Sequence, residues 1–123
     1  PAPVVDGKGA KVGLLAYGTT HWAIVEARDQ LKAEKGLATD YFRVRAFPFS
    51  DEVRKFVAAH DRVYVVEQNR DAQMLGMLRM EYPELATKMV SVRHYNGLPV
   101  DARSVTDEIA RLESNPVASN GAR

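Results

Sequence analysis

At 123 residues the chain can bury one core, and it is too short for two ordinary domains. Hydrophobic residues at 46% and charged residues at 27% fit a soluble globular protein, the absence of cysteine fits a cytoplasmic location, and 17 basic against 16 acidic side chains leave a net charge of +1, giving no basis for nucleic acid or an anionic membrane as partner. No apolar run approaches the ~18 residues that span a bilayer, and the lack of cysteine excludes disulfides, thiolate metal sites, cluster ligands and thiol nucleophiles within the chain.

Residues 1–10 are rich in Pro and Gly and read as a linker leading in from a longer polypeptide, with no basic-then-apolar signal. Val12 to Tyr17 is a short apolar run between Lys11 and Gly18, which predicts a strand buried on both faces. Gly18-Thr19-Thr20 turns the chain, and Thr19 or Thr20 can cap the helix that follows. From His21 to Lys35, Ala23, Ile24, Ala27 and Leu31 fall on one side and charged residues elsewhere, the pattern of an amphipathic helix that Gly36 ends. Thr39 to Arg45 suits a second strand nearer the sheet edge. Ser50 then caps a helix with Asp51 and Glu52 in its first turn and Val53, Phe56 and Val57 as its apolar stripe.

Arg62 to Gln68 is the third strand, and it delivers Glu67, Gln68 and Asn69 to the carboxyl edge of the sheet. Arg70 to Met80 predicts a third helix with Met74, Leu75 and Leu78 inward. Val90 to Tyr95 is a fourth strand, and Ser104 to Glu113 a last helix with Val105, Ile109 and Leu112 inward. Residues 114–123 form a flexible tail, leaving 11–113 as the folded domain.

Four alternations of strand and helix imply an α/β fold: a mainly parallel sheet between two helical layers, joined by right-handed crossovers. The two most apolar strands, Val12 to Tyr17 and Val63 to Val66, belong side by side at the centre, with the second strand on one flank and the fourth on the other. Chain order then reverses between the first and third strands, and ligands or partners meet such a switch point.

The candidate residues gather there. Gly18, Thr19 and Thr20 can turn backbone N–H groups toward an anion. Yet Gly18 stands alone, without the glycine pattern of a dinucleotide site or a phosphate loop, and a Thr-capped turn accounts for it equally. His21 and Trp22 are interface candidates, since Trp is favoured at contact hot spots; a capped helix start with Trp22 folded onto the core is the alternative. Glu67, Gln68, Asn69 and Arg70 can form a polar contact surface, or they can be structural, with Asn69 capping the third helix and Glu67 accepting from a neighbouring loop. His60 reads as a helix-dipole partner. Arg43 and Arg45 with Phe47-Pro48-Phe49 read as a surface docking onto another domain, with a solvated strand face as the alternative. His21, His60 and His94 have no metal-ligand spacing, and no Ser lies in a nucleophile elbow.

Tyr17-Gly18-Thr19-Thr20, Glu26-Ala27-Arg28, Arg45 to Phe49, Val65 to Gln73 and His94-Tyr95-Asn96-Gly97-Leu98-Pro99-Val100 together resemble the C-terminal domain of the alpha subunit of 2-oxoacid:ferredoxin oxidoreductases, the 2-oxoglutarate type above all. The resemblance runs from about Lys11 to Glu113. It implies a fold similar to the C-terminal domain of transketolase, a three-layer α/β sandwich with an added antiparallel edge strand, for which Val4-Val5 is the candidate. It also implies membership of a hetero-oligomer that converts a 2-oxoacid and coenzyme A to acyl-CoA and CO2 while reducing ferredoxin. Thiamine diphosphate, Mg2+ and a 4Fe–4S cluster would sit in the beta subunit and the other alpha-subunit domains. This chain lacks the cysteines and the thiamine-site motif, so no catalytic, cofactor-binding or metal residue is expected in it, and the isolated domain is expected not to turn over substrate. Two other readings stand beside this one: a stand-alone small-ligand or anion module, and the equivalent domain of a transketolase or of the decarboxylating component of a 2-oxoacid dehydrogenase.

Overall fold

The computed structural model describes residues 4–6, 9–17, 21–44, 51–67, 73–93 and 101–114. Five strands form one sheet: β1 (Val4–Asp6), β2 (Val12–Tyr17), β3 (Thr39–Val44), β4 (Arg62–Glu67) and β5 (Met89–Arg93). Four helices accompany them: α1 (His21–Lys35), α2 (Asp51–Ala58), α3 (Gln73–Glu81) and α4 (Ala102–Glu113), with a 3-10 helix at Pro83–Lys88. The spatial order is β1-β3-β2-β4-β5. β2 pairs in parallel with both β3 and β4, and β4 with β5, so the two most apolar runs are central neighbours as their composition requires.

β1 is antiparallel to β3, with Val4 opposite Arg43 and Asp6 opposite Tyr41. The Pro- and Gly-rich start therefore holds a strand as well as a connection, and that strand contains Val4-Val5. It also explains why β3 is buried along most of its length although its sequence only partly alternates. β1 covers the edge that β3 would otherwise expose.

Each sheet face has its own core. Leu14, Ala16, Tyr41, Tyr64, Val66 and Val92 face α1 and α4, meeting Ile24, Ala27 and Leu31 of the first and Val105 and Ile109 of the second. Leu15, Phe42, Val63, Val65 and Met89 face α2 and α3, meeting Val53, Phe56 and Val57, then Met74, Leu75 and Leu78. Gly13 lets α2 approach. A Cβ there would lie 2.9 Å from two ring atoms of Phe56 and 3.2 Å from Cγ of His60.

Helix ends follow local chemistry. Gly36 takes φ 65, the left-handed region that favours glycine, and the N–H groups of Gly36 and Leu37 turn back onto the carbonyls of Lys32 and Leu31. α4 starts two residues before Ser104 because Asp101 is its cap, accepting from the Ser104 N–H at 2.7 Å. The other end of α4 is tied to the sheet. Arg62 donates to both carboxylate oxygens of Glu113, at 2.7 and 2.8 Å, and the Tyr64 hydroxyl donates to the same carboxylate.

Candidate functional site

The carboxyl edge of the sheet is where β2 and β4 end and α1 and α3 begin. Among the residues singled out there, Gly18, Thr19, Thr20, Gln68, Asn69 and Arg70 lie outside the described residues, as do Arg45, Phe47, Phe49 and His94. His21, Trp22 and Glu67 are described, and the structure gives them different work.

Glu67 is the last residue of β4 and only 4% exposed. Its Oε1 accepts the Met74 N–H at 2.7 Å and its Oε2 the Leu75 N–H at 3.0 Å. Met74 and Leu75 are the second and third residues of α3, so they carry backbone donors that have no carbonyl within the helix. A strand-end carboxylate thus caps the next helix, and its negative charge sits where the helix dipole is positive. Glu67 is buried at the start of α3, and its donors are helix N–H groups where the structural reading expected a neighbouring loop.

His21 and Trp22 open α1 on the other face of the sheet, since α1 packs on the Leu14 side and α3 on the Leu15 side. The His21 Nδ1 is 3.1 Å from the Tyr41 hydroxyl, and the two rings stack with centroids 5.7 Å apart. Arg28 continues the row. Its guanidinium carbon lies 5.9 Å from the Tyr41 ring centroid, and it donates to Oγ1 and the carbonyl of Thr39 at 3.1 and 2.6 Å. Burial pushes the Tyr41 phenol up to about 12 against the opposing charges of Arg43 and Arg28. Trp22 does not fold onto the core. Its side chain touches the His21 ring edge-on, with centroids 4.9 Å apart, and the residue is 76% exposed.

His60 is more than a helix-dipole partner. Its Nδ1 meets the Phe56 carbonyl at 2.6 Å, as an end-of-helix position suggests, and its Nε2 meets Oδ2 of Asp40 at 2.8 Å. The same Oδ2 accepts the Ala10 N–H at 3.0 Å. This buried pair fastens α2, β3 and the lead into β2 at the amino edge, away from the switch point. Sequence offers no signal for it, because twenty residues separate the partners.

Also at the amino end, a surface pocket of about 480 Å3 lies between the ends of α1 and α4, with Lys35, Leu37, Ala110 and Arg111 on its walls. Two helix carboxyl ends meet there, which disfavours an anion, and the Glu113 carboxylate beside it is committed to Arg62 and Tyr64. Among the described residues, no group of three or more His, Cys, Asp or Glu side chains comes together to hold a metal, and no helix is long and apolar enough to cross a membrane.

No protein-family model matches the chain, and no curated protein matches it by sequence. Solved structures do. A 2-oxoglutarate:ferredoxin oxidoreductase from Magnetococcus marinus, with 2-oxoglutarate, coenzyme A and succinyl-CoA bound, matches over 90% of this chain at TM-score 0.73 and 22% identity. The chain spans 19% of that protein's length. The alpha chain of a probable 2-oxoacid ferredoxin oxidoreductase from Thermoplasma acidophilum matches over 92% of this chain and 97% of its own length, at TM-score 0.56 and 20% identity. Transketolase from Campylobacter jejuni matches over 89% of this chain and 18% of its own, at TM-score 0.58 and 15% identity. The chain has the α/β fold that these proteins share, of the transketolase C-terminal type.

Proposed function

We propose that this chain is the C-terminal structural and interface domain of the alpha subunit of a thiamine-diphosphate-dependent 2-oxoacid:ferredoxin oxidoreductase, of the 2-oxoglutarate type. The observation that carries the reading is the match of 90% of the chain to about a fifth of a 2-oxoglutarate:ferredoxin oxidoreductase, at TM-score 0.73. The ordered sequence motifs from Tyr17 to Val100 point the same way. The enzyme would join a 2-oxoacid and coenzyme A to give acyl-CoA and CO2 and pass electrons to ferredoxin. Its thiamine diphosphate, Mg2+ and iron–sulfur cluster do not fit this chain: cysteine is absent and the described acidic and His side chains do not converge. They would be held by the beta subunit and the remaining alpha-subunit domains. The work of this domain would be contact through the carboxyl edge, with Trp22 as its anchor beside His21, the turn at 18–20 and residues 68–70. Glu67 would act from within, by fixing the start of α3.

Purifying the assembly that holds this chain, in its cytoplasmic fraction, tests the reading. The expected result is a hetero-oligomer carrying thiamine diphosphate and iron–sulfur that reduces ferredoxin only with a 2-oxoacid and coenzyme A. A chain that remains alone, or sits in an assembly without a thiamine enzyme, overturns it. A second reading, the equivalent domain of a transketolase, draws on the likeness to the Campylobacter jejuni enzyme; ketol transfer by the same assembly, without ferredoxin reduction, would select it.

A further inference from the structure

We infer that the outer face of α1 docks on another polypeptide, at an apolar pocket bordered by lysine or arginine side chains. The inference rests on the contact role proposed above and names the chemistry of the partner. Trp22, Glu26 and Asp29 are all exposed. At 100° per residue they fall within roughly 60° of one another and opposite Ile24, Ala27 and Leu31, which face the core. The stripe is therefore one apolar anchor with two carboxylates, the farther about 10 Å along the axis.

No Lys or Arg of α1 falls within that arc, and Lys32 borders it one turn beyond Asp29. Arg28 is turned to Thr39 of β3, and Lys32 and Lys35 lie in the last turn. Glu26 accepts from Gln30 at 3.2 Å, which leaves its charge outward. The base of the indole rests on His21, itself bonded to Tyr41, so docking fixes a side chain that is already partly held.

Charge decides among occupants. Phosphates of nucleic acid or of anionic lipid would be repelled by Glu26 and Asp29. A neutral apolar surface would cover Trp22 but strip water from two carboxylates without replacing it. A pocket with a basic rim accommodates both, the indole in a dry centre and the acids at a wet margin.

The test uses the tagged full chain expressed in its native host with the rest of its assembly. Wild type is compared with Trp22→Ala, with the double variant Glu26→Lys/Asp29→Lys, and with Glu81→Lys on the far face of the domain as a charge control. Thermal melts establish that each variant folds. Native mass spectrometry at rising NaCl and zero-length carbodiimide cross-linking give the readouts. Trp22→Ala should weaken the assembly about 30-fold, the size of a tryptophan hot spot. The double reversal should weaken it at low salt and remove its salt dependence, while Glu81→Lys should do neither. Cross-links should join Glu26 or Asp29 to a lysine of a different polypeptide. An assembly indifferent to these variants, cross-links that end on a second copy of this chain, or a chain that stays monomeric would overturn the inference. An assembly that depends on the stripe but oxidises no 2-oxoacid would overturn the oxidoreductase reading and leave the docking intact.

Discussion

Glu67→Ala tests whether the most polar point of the central strand is structural. The substitution removes the acceptor of two N–H groups, at 2.7 and 3.0 Å, in a place 4% exposed. Each bond to a carboxylate contributes about 1.5–3 kcal/mol net. The loss of a helix cap is about 0.5–2 kcal/mol, but that is the same contact counted another way, so it is not added. A loss of about 3 kcal/mol follows, or roughly 12 °C in Tm at about 4 °C per kcal/mol for a domain of this size. Glu67→Gln keeps one accepting oxygen but turns an NH2 toward a backbone N–H, so its loss should be about half as large. The assay is urea and thermal unfolding of the chain by circular dichroism, with hydrogen exchange read at the Met74 and Leu75 amides. Those two amides should lose protection first, before the strands do. A Glu67→Ala variant that melts within about 2 °C of wild type, with both amides still protected, would refute the reasoning and return Glu67 to the surface.

Three further outcomes follow from the packing and the ionisable groups. Gly13→Ala should cost about 1–3 kcal/mol in urea unfolding, because its Cβ would press on Phe56 at 2.9 Å and on His60 at 3.2 Å; a Phe56→Leu background should recover part of the loss. Burial raises the Glu113 carboxyl, but the hydrogen bonds from Arg62 and Tyr64 and the Arg62 charge outweigh it and hold it below the usual carboxylate range. Its contribution should therefore be complete above about pH 5 and disappear as pH falls through the lower folded value, so the stability of wild type should converge on that of Glu113→Gln in acid. At the alkaline end, the Tyr41 phenol is raised to about 12. Its contribution is whole below about pH 10 and lost between there and 12, so Tyr41→Phe should remove the phenolate step that ultraviolet titration detects in that interval.

The fold was legible because it rests on short-range patterns. Val12 to Tyr17 and Val63 to Val66 are continuous apolar runs, and such runs belong at the centre of a parallel sheet. The stripes of α1 and α2 name the residues that the structure buries, except Ala23, which is only half-buried. Three-residue β1 carries no periodicity of its own; it forms because β3 offers an open edge. Pro83–Lys88 is too short and too mixed to show a stripe, and the structure makes it a 3-10 helix after Tyr82. The outward Met77 and Met80 are invisible to a rule that counts methionine as core. The ties that lock the layers were beyond reach for another reason. Asp40 with His60 and Arg62 with Glu113 join residues twenty and fifty-one positions apart, and a charge in a sequence does not announce its partner.

At the candidate site the same distinction separates chemistry from contact. Sequence places Glu67 and His21 beside a switch point, where a general base would be sought. A base needs a lone pair turned toward substrate, yet each Glu67 oxygen accepts a backbone N–H of α3, and the His21 Nδ1 faces the Tyr41 hydroxyl. These polar groups hold the starts of two helices. Among the described residues that the edge turns outward is the indole of Trp22, with Glu26 and Asp29 further along the same helix. The indole does no proton transfer, and Trp is a residue type favoured at contact hot spots. Among the described residues at this edge, Glu67 and His21 are engaged in structure and the exposed indole is suited to binding, which supports the proposed contact role.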